Sequence, residues 1–354
     1  MRPSLPLLLA LALPALAQGF PDDPAFGGSR VFSQGYSPLG NSACFDQAPP
    51  GWYVGVIRGD LKPKDQTAAM EPFRGGFPSD ATLQAQALSK LGENPWAVRR
   101  GSAGLSLSLA GGVHGSYTRE SLTGLLAVVD LDPAHRGAPA ATALNTTFLE
   151  QRRFQVDRLV MGVGSMEGGT AYGVSLRAEN WRYGSNRIPL NPPLGPIGFG
   201  DPDRLLDFSR TEGKRFAATL DAGVVFQLAP GLRLGALVDR VVSATLGDLK
   251  EQPQTRVGLQ VDLGGGLAVS GEADLNEAVR VPVAEKQRST SASLRIPVGA
   301  SLLWLLGAER RTVGRASSTS FGTTLLLRAG AFHIGAGMRF GQDRPLTGLG
   351  FRFE

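Results

Sequence analysis

Apolar residues at every second position are the feature that most constrains what this chain can form. In AFHIGAGMRF (331–340), apolar residues occupy the even positions, while histidine, glycine and arginine occupy the odd positions from 333 onward. Successive side chains of a β-strand point to opposite faces, so this pattern predicts a strand with one apolar face. About fourteen such segments recur, most of them near the ~9–11 residues that cross a bilayer at a tilt. They are 52–59, 103–114, 120–131, 153–164, 170–181, 215–228, 232–245, 254–263, 267–276, 289–298, 300–311, 318–328, 331–340 and 346–354.

The connections between these segments alternate in length. Short ones such as 229–231 and 329–330 fall between longer ones such as 60–102, 182–214 and 312–317. Short turns at one end and long loops at the other are typical of outer-membrane barrels. A soluble β-sandwich also alternates apolar and polar positions, but it has no reason to keep this order of loops. The pattern predicts an all-β transmembrane antiparallel barrel over residues 51–354, with both ends of the chain on the short-turn, periplasmic side.

The two faces of the predicted strands differ in chemistry. In QTRVGLQVDL (254–263), valine and leucine occupy the odd positions from 257, whereas the even positions from 256 carry arginine, glycine, glutamine and aspartate. An arginine facing lipid at the bilayer midplane costs about 2–4 kcal/mol, so the register of such a strand is well determined. We therefore expect the apolar face to meet lipid and the other face to meet the lumen. The expected hydrocarbon contacts near the C-terminus are Phe332, Ile334, Met338, Leu349, Phe351 and Phe353.

The face opposite the lipid contact combines paired charges with a few leucines. The predicted lumen-lining residues are Arg177, Glu179, Asp221, Arg233, Asp239, Arg256, Asp262, Glu272, Asp274, Arg295, Leu303, Leu305, Glu309, Leu326, His333 and Arg339. The charges are expected to pair with one another. The inward leucines fit an apolar patch for a hydrophobic ligand or a seat for a plug, and contact with an inward-folded loop is the alternative.

The first fifty residues contain no segment of this alternating type. Residues 1–17 combine Arg2, an apolar stretch and an Ala-Leu-Ala cleavage motif, which predicts a signal peptide cleaved near Ala17 and delivery to the outer membrane of a diderm bacterium. Residues 18–50 are rich in glycine and proline and carry scattered aromatics, so we expect a plug or hatch segment that packs against the lumen wall. A disordered tail is the alternative.

A helix is expected in the first long loop. The sequence SDATLQAQALSKLG (79–92) can begin with Ser79 or Asp80 as a cap and end at Gly92. Its predicted apolar face contains Leu83, Ala87 and Leu91, and we expect the helix to lie on the barrel mouth or to fold into it.

No residue set in the sequence points to catalysis. The histidines at 114, 135 and 333 are far apart, and Cys44 is the only cysteine, so no disulfide is possible and no metal ligand set is evident. The glycine-rich stretch GVGSMEG (162–168) falls in a predicted strand with no helix after it, so it fails as a nucleotide-binding motif. Arginines are scattered rather than clustered, which argues against nucleic-acid binding. We predict a non-enzyme with no cofactor, no metal and no nucleic-acid partner.

The C-terminal part of the chain resembles a known family. The segments TRVGLQVDLGGGLAVSGEADLNE (255–277) and ASLLWLLGAERR (300–311) resemble the outer-membrane long-chain fatty-acid transporter (FadL/TodX-like) superfamily, which includes the TraF-like and PorV-like barrels. The resemblance covers roughly residues 210–354. It implies a barrel of fourteen strands with an N-terminal plug or hatch, in agreement with the strand count.

Two functions remain open at this point. The first is a passive channel or transporter in contact with outer-membrane lipid, with hydrophobic small molecules as its cargo. The second is a non-transporting accessory or structural barrel in secretion, conjugation or envelope assembly, with a periplasmic or envelope protein as its partner. A lumen cavity lined by Leu303, Leu305 and Leu326 would favour the first, and a lumen filled with ion pairs would favour the second.

Overall fold

The structure is a computed structural model, which describes most of the predicted barrel and part of the segment before it. The described residues are 26, 28–32, 41–47, 50–61, 80–93, 96–135, 144–189, 213–246, 249–281, 283–341 and 346–354. The predicted signal peptide with its cleavage site, residues 18–25 and the candidate cap Ser79 lie outside them.

Strands dominate the described part of the chain. Two 3₁₀ helices, Ser42–Gln47 and Pro133–His135, and one α-helix, α1 (Ala81–Glu93), accompany them. The strands are β1 (Gly51–Leu61), β2 (Trp96–Ser108), β3 (Val113–Val128), β4 (Phe148–Glu167), β5 (Thr170–Pro189), β6 (Gly213–Ala229), β7 (Leu232–Asp239), β8 (Ala244–Leu246), β9 (Leu249–Glu251), β10 (Gln254–Gly264), β11 (Leu267–Asp274), β12 (Ala278–Arg280), β13 (Val283–Val298), β14 (Leu302–Val313), β15 (Ala316–Ala329), β16 (Phe332–Phe340) and β17 (Leu346–Phe353).

The main sheet closes on itself. Strands β1 to β7, β10, β11 and β13 to β17 are hydrogen-bonded in that order, with β1 paired to β17 and β11 paired to β13. All the pairings are antiparallel, and the ring contains 14 strands. Closure leaves no free edge, because every strand has a neighbour on both sides. The predicted fold class, an antiparallel barrel of about fourteen strands, is confirmed. Of the remaining described strands, β12 pairs only with β13, and β8 and β9 form a separate hairpin.

Tight turns collect at one end of the barrel, as the loop pattern predicted. Glycines with positive φ make several of these turns, for example Gly231 at +76° and Gly330 at +61°, because a residue without a Cβ adopts this backbone at little cost. The start of β1 and the end of β17 lie at the same end, since Trp52 pairs with Phe353. One expected long connection, 312–317, is instead a tight turn between β14 and β15.

Burial alternates along the strands as the faces require. In β17, the outward Leu349, Phe351 and Phe353 are 44%, 40% and 37% exposed, whereas the inward Arg352 is 2% exposed. The predicted hydrocarbon contacts in β16 are also exposed on the outer face. In β16 and β17, the outward side chains are therefore mostly apolar, and the inward positions include polar side chains.

The structure corrects two strand predictions. The segment 232–245 is not one strand, because β7 ends at Asp239 and Arg240 has a left-handed φ of 59°. Strands β4 and β5 each reach 20 residues and exceed the predicted segments. Their ladder of backbone hydrogen bonds continues past the apolar outer belt, where outward side chains become polar and the sequence pattern weakens.

The helix predicted in the first long loop is present as α1. The Asp80 carboxylate accepts a hydrogen bond of 2.8 Å from the Leu83 backbone N–H, so Asp80 caps its start. The buried side is Gln84, Ala87, Leu88 and Leu91, and the expected contribution of Leu83 is wrong, since Leu83 is 57% exposed.

This helix does not enter the lumen. It packs against Ala127 of β3 and Leu149 of β4, which pair across the ladder. Side chains alternate between the two faces of β3, and Glu120 and Leu122 at even positions face inward. Ala127 at an odd position therefore faces outward, and so does Leu149, its partner on β4. Helix α1 therefore covers the outer side of the wall at the long-loop end.

Candidate functional site

The interior face of the barrel is the candidate site. The structure places the predicted lumen residues on inward-facing positions: Arg177, Glu179, Asp221, Arg233, Asp239, Arg256, Asp262, Glu272, Asp274, Arg295, Leu303, Leu305, Glu309, Leu326, His333 and Arg339. They form two charge networks, a leucine patch, and a group near the short-turn end that consists of Arg233, Asp262, Arg295 and His333.

The first charge network is built around Glu179 of β5. Its carboxylate accepts hydrogen bonds from Arg158 Nε at 2.5 Å and from both terminal nitrogens of Arg240 at 2.7 and 2.8 Å. The Trp181 indole N–H donates a further bond of 3.0 Å to it. Arg158 continues to Glu120 at 3.2 Å. Ions removed from water are stabilised only when such partners surround them.

The same network extends to β6 and β7 through Arg177. Its guanidinium contacts both Asp221 and Asp239, the latter over 2.8 Å. Asp239 also accepts a hydrogen bond from Arg280 at 3.3 Å. Asp239 therefore joins the wall of the barrel to the segment around β12.

The second charge network continues around the wall on β10, β11, β14 and β16, beginning next to β7, with which β10 pairs. Arg256 donates from Nε to Asp274 over 2.8 Å and from Nη1 to Glu272 over 3.2 Å. Nearby, Glu309 pairs with Arg339 at 3.0 Å and with Arg311 at 3.1 Å. The charges in this half of the wall are thus also neutralised by neighbours.

Apolar surface separates and flanks these networks. Leu303, Leu305 and Leu326 pack together as a buried patch on β14 and β15. On the opposite wall, Phe154 and Trp181 meet edge to face with ring centroids 6.1 Å apart. They belong to a larger buried cluster that also contains Ile57, Leu122, Val156, Leu246 and Leu249. The leucine patch and this cluster are both buried, so they form packed apolar regions of the interior beside the charges.

The described residues before β1 contact this inner wall. The Val31 backbone N–H donates to Glu272 over 3.0 Å, and Arg30 pairs with Asp239 at 3.2 Å. The Thr324 hydroxyl donates to the Phe26 carbonyl over 2.8 Å. Residues 28–32 are thereby tied to side chains of both charge networks, and Phe26 is tied to β15.

Inward glycines make room for these contacts. A Cβ added at Gly162 would lie 2.6 Å from the Phe45 ring, and one at Gly173 would collide with the backbone of Ser42. Added at Gly235, it would collide with Val31. Gly162 and Gly164 of GVGSMEG therefore form a seat for the 3₁₀ helix Ser42–Gln47, which explains part of a motif that failed as a nucleotide-binding signature.

Several residues of the first network were missed from the sequence. Glu120, Arg158, Arg240, Glu251 and Arg280 are buried or half-buried inside the wall and form its ion pairs. The sequence did contain a signal for Arg158. It lies at an even position of β4, like Val156, Val160 and Gly162, and these positions all face inward. Arg240 had no such signal, since it follows the end of β7 in an irregular conformation.

Among the described residues, no group of three or more histidine, cysteine or acidic side chains is placed to hold a metal ion. Cys44 is buried with a free thiol, and the His114 ring stacks on Phe45 with centroids 4.5 Å apart. In the same part of the chain, no helix combines the length and apolarity needed to span a bilayer.

Solved structures of similar shape include channels for hydrocarbons. A TodX deltaS2S3 mutant monoaromatic hydrocarbon channel matches with a TM-score of 0.54 and 12% identity, covering 93% of this chain and 98% of its own. The CymD monoaromatic hydrocarbon channel matches with a TM-score of 0.51 and 10% identity, covering 96% and 97%. The fold is that of the FadL-type hydrocarbon channels.

The Pseudomonas putida toluene transporter TodX gives the same result. It matches with a TM-score of 0.50 and 11% identity, covering 93% of this chain and 95% of its own. Neither a family model nor a curated protein matches the sequence. The resemblance noticed in the sequence of the C-terminal part is therefore confirmed for the fold, and it extends over nearly the whole chain.

Proposed function

We propose that this protein is an outer-membrane barrel that acts as a passive channel for small hydrophobic molecules. The observation that carries the proposal is the fold shared with hydrocarbon channels over nearly the whole chain. The apolar outer belt supports a lipid environment, and the buried leucine patch and Phe154–Trp181 cluster are the apolar regions that a cargo would contact once the packed interior opens. The comparisons do not favour an accessory role in envelope assembly.

The proposal includes a plug formed by residues 18–50. Support comes from the contacts of Phe26, Val31 and the 3₁₀ helix Ser42–Gln47 with the inner wall, and from the inward glycines beneath them. Burial of each large apolar side chain contributes about 1.5–3 kcal/mol, which offsets the entropy lost on ordering the segment. Delivery to the outer membrane after cleavage near Ala17 belongs to the same proposal.

Flux through the barrel is the direct test of this function. Toluene uptake from dilute solution would be compared in cells with and without the protein, in a strain that lacks other hydrocarbon channels and keeps its lipopolysaccharide, because that layer, unlike a phospholipid bilayer, slows the entry of apolar molecules. Leu326→Gln places a polar group in the inward leucine patch and should slow entry several-fold. Leu327→Gln, one residue away on the outward face, is the matched control and should leave the rate near that of the parent protein. Equal rates with and without folded protein would exclude a hydrocarbon channel.

A further inference from the structure

A cavity of about 370 Å³ opens across strands β1 to β4, where Arg100 of its lining also pairs with Glu120 of the first network at 2.8 Å. Its outer lining includes Arg58, Gly101, Arg119, Ser121 and Gln155. Each of them is adjacent in sequence to a buried, inward-facing residue, namely Ile57, Ser102, Glu120 or Val156. Because side chains alternate between faces, the lining residues point outward. The cavity is therefore a notch in the outer surface of the wall.

The strand register explains why a notch forms here. Arg58, Gly101, Ser121, Gln155 and Arg182 are successive partners across five strands. Neighbouring strands lie ~4.8 Å apart, so two long cationic side chains flank a floor made of glycine and serine. A Cβ added at Gly101 would meet nothing within 4 Å. We call this feature the outer notch.

The charges around the outer notch are mostly positive. Among the residues described on the outer faces of β3 to β5 here, Arg119, Arg153 and Arg182 accompany the carboxylate of Asp157. Asp157 accepts a hydrogen bond from Arg119 Nε over 2.6 Å. Within the described part of the chain, the exposed Arg58 forms no ion pair. The outer notch thus presents more cationic than anionic groups, together with hydroxyl and amide donors.

The position of the outer notch follows from the apolar belt. The outward residues Leu105, Tyr117 and Leu159 lie between the outer notch and the short-turn end of the barrel. Their side chains are 50%, 39% and 48% exposed. The outer notch therefore lies at the long-loop edge of this belt. If the proposed function holds, that edge is at the level of the head groups in the outer leaflet.

We infer that the outer notch binds the phosphorylated sugar head group of an outer-leaflet glycolipid. Guanidinium groups bind phosphate oxygens through paired hydrogen bonds. The side chains of Ser121, Thr123 and Gln155 supply hydrogen-bonding groups of the kind that sugar hydroxyls need. The inference rests on the proposed membrane location, but it requires no transport.

Lipid binding by the purified barrel tests this inference. Native mass spectrometry of the mature protein in nonionic detergent would measure binding of diphosphorylated lipid A. Removing one cation with Arg58→Gln should weaken binding about fivefold. Filling the floor with Gly101→Leu should weaken it at least about tenfold. Gly271→Leu is the matched control, because a Cβ at Gly271 also meets nothing within 4 Å, and it should bind like the parent.

Further binding measurements distinguish a lipid ligand from free phosphate, and they distinguish failure of this inference from failure of the proposed function. Dephosphorylated lipid should bind more weakly than the phosphorylated form, and Arg58→Gln should have little effect on it. Displacement of the lipid by millimolar inorganic phosphate would overturn the inference in favour of a free-phosphate site. Equal lipid binding by the parent, Arg58→Gln and Gly101→Leu would also overturn it. Loss of toluene flux with the lipid pattern intact would remove the transport proposal alone.

Discussion

Arg30 donates a hydrogen bond of 3.2 Å from its guanidinium to the carboxylate of Asp239. The contact joins residues separated by most of the predicted barrel sequence, and it adds a cation to a carboxylate that already contacts Arg177 and Arg280. The segment before β1 is therefore held by the wall's own charge network. Loss of this contact should loosen the segment without opening the barrel.

Arg30→Gln should make the N-terminal segment more accessible. Without the charge, Asp239 keeps its two other arginines, so the wall should remain folded while limited proteolysis between residues 18 and 47 becomes several-fold faster. Arg315→Gln, at an exposed tight turn between β14 and β15, is the control and should leave the cleavage rate unchanged. Equal cleavage of both variants would show that Arg30 does not hold the segment.

Deleting residues 18–47 tests the plug itself. The barrel should still fold, because the wall is closed by pairing between β1 and β17, and single-channel conductance in a planar bilayer should rise. A folded, truncated protein with the conductance of the full mature chain would instead make the segment a tail or a docking site for a periplasmic partner.

Glu179→Gln should destabilise the barrel strongly. It removes the negative charge shared by the buried Arg158 and Arg240, and loss of one member of a buried ion pair costs about 3–5 kcal/mol. Asp262→Asn is the control, because Asp262 and Arg233 are 3.6 Å apart with side chains 38% and 25% exposed, and it should cost only about 0–1 kcal/mol. Urea unfolding in detergent, followed by tryptophan fluorescence, measures both. Similar losses would mean that the buried network contributes no more to stability than the partly exposed Asp262–Arg233 pair.

Leu325→Arg tests which side of the wall meets lipid. Leu325 is 49% exposed on the outer face of β15, so an arginine there should lower the free energy of unfolding by about 2–4 kcal/mol in a bilayer. Ser317→Arg, outward on the same strand but near its long-loop end, should cost about 0–1 kcal/mol. An equal cost at both positions would contradict the assigned depth of the belt.

Acid should destabilise the loop that follows β3. Burial opposes ionisation of Asp130, but hydrogen bonds from the Thr146 and Asp132 backbone N–H groups and from His135 hold its pKa well below the ordinary 3.8. A lowered pKa means that the ionised group stabilises the loop above about pH 4 and that this contribution is lost as the pH falls further. Amide exchange at 132 and 146, corrected for intrinsic rates, should therefore accelerate below pH 4. In Asp130→Asn it should be fast at every pH, and a loop with equal exchange in both proteins would refute the role of Asp130.

The sequence predicted the wall better than its contents. Alternation is a local property of each strand, and a penalty of several kcal/mol for a misplaced arginine enforces it, so the faces of β10 and β16 could be assigned from spacing alone. The partners of Glu179 could not, because Arg158 and Arg240 come from distant positions and meet only when the barrel closes. The burial of Leu149 under α1 was also invisible, since it depends on how a loop helix folds back on the wall.

Electrophoretic mobility of the mature protein before and after boiling is the most direct test of the closed membrane barrel. Every wall strand is hydrogen-bonded on both sides, so SDS without heat should leave the barrel intact. We expect recovery in the outer-membrane fraction and different migration of unheated and boiled samples. Identical migration, together with recovery in the soluble periplasmic fraction, would contradict it.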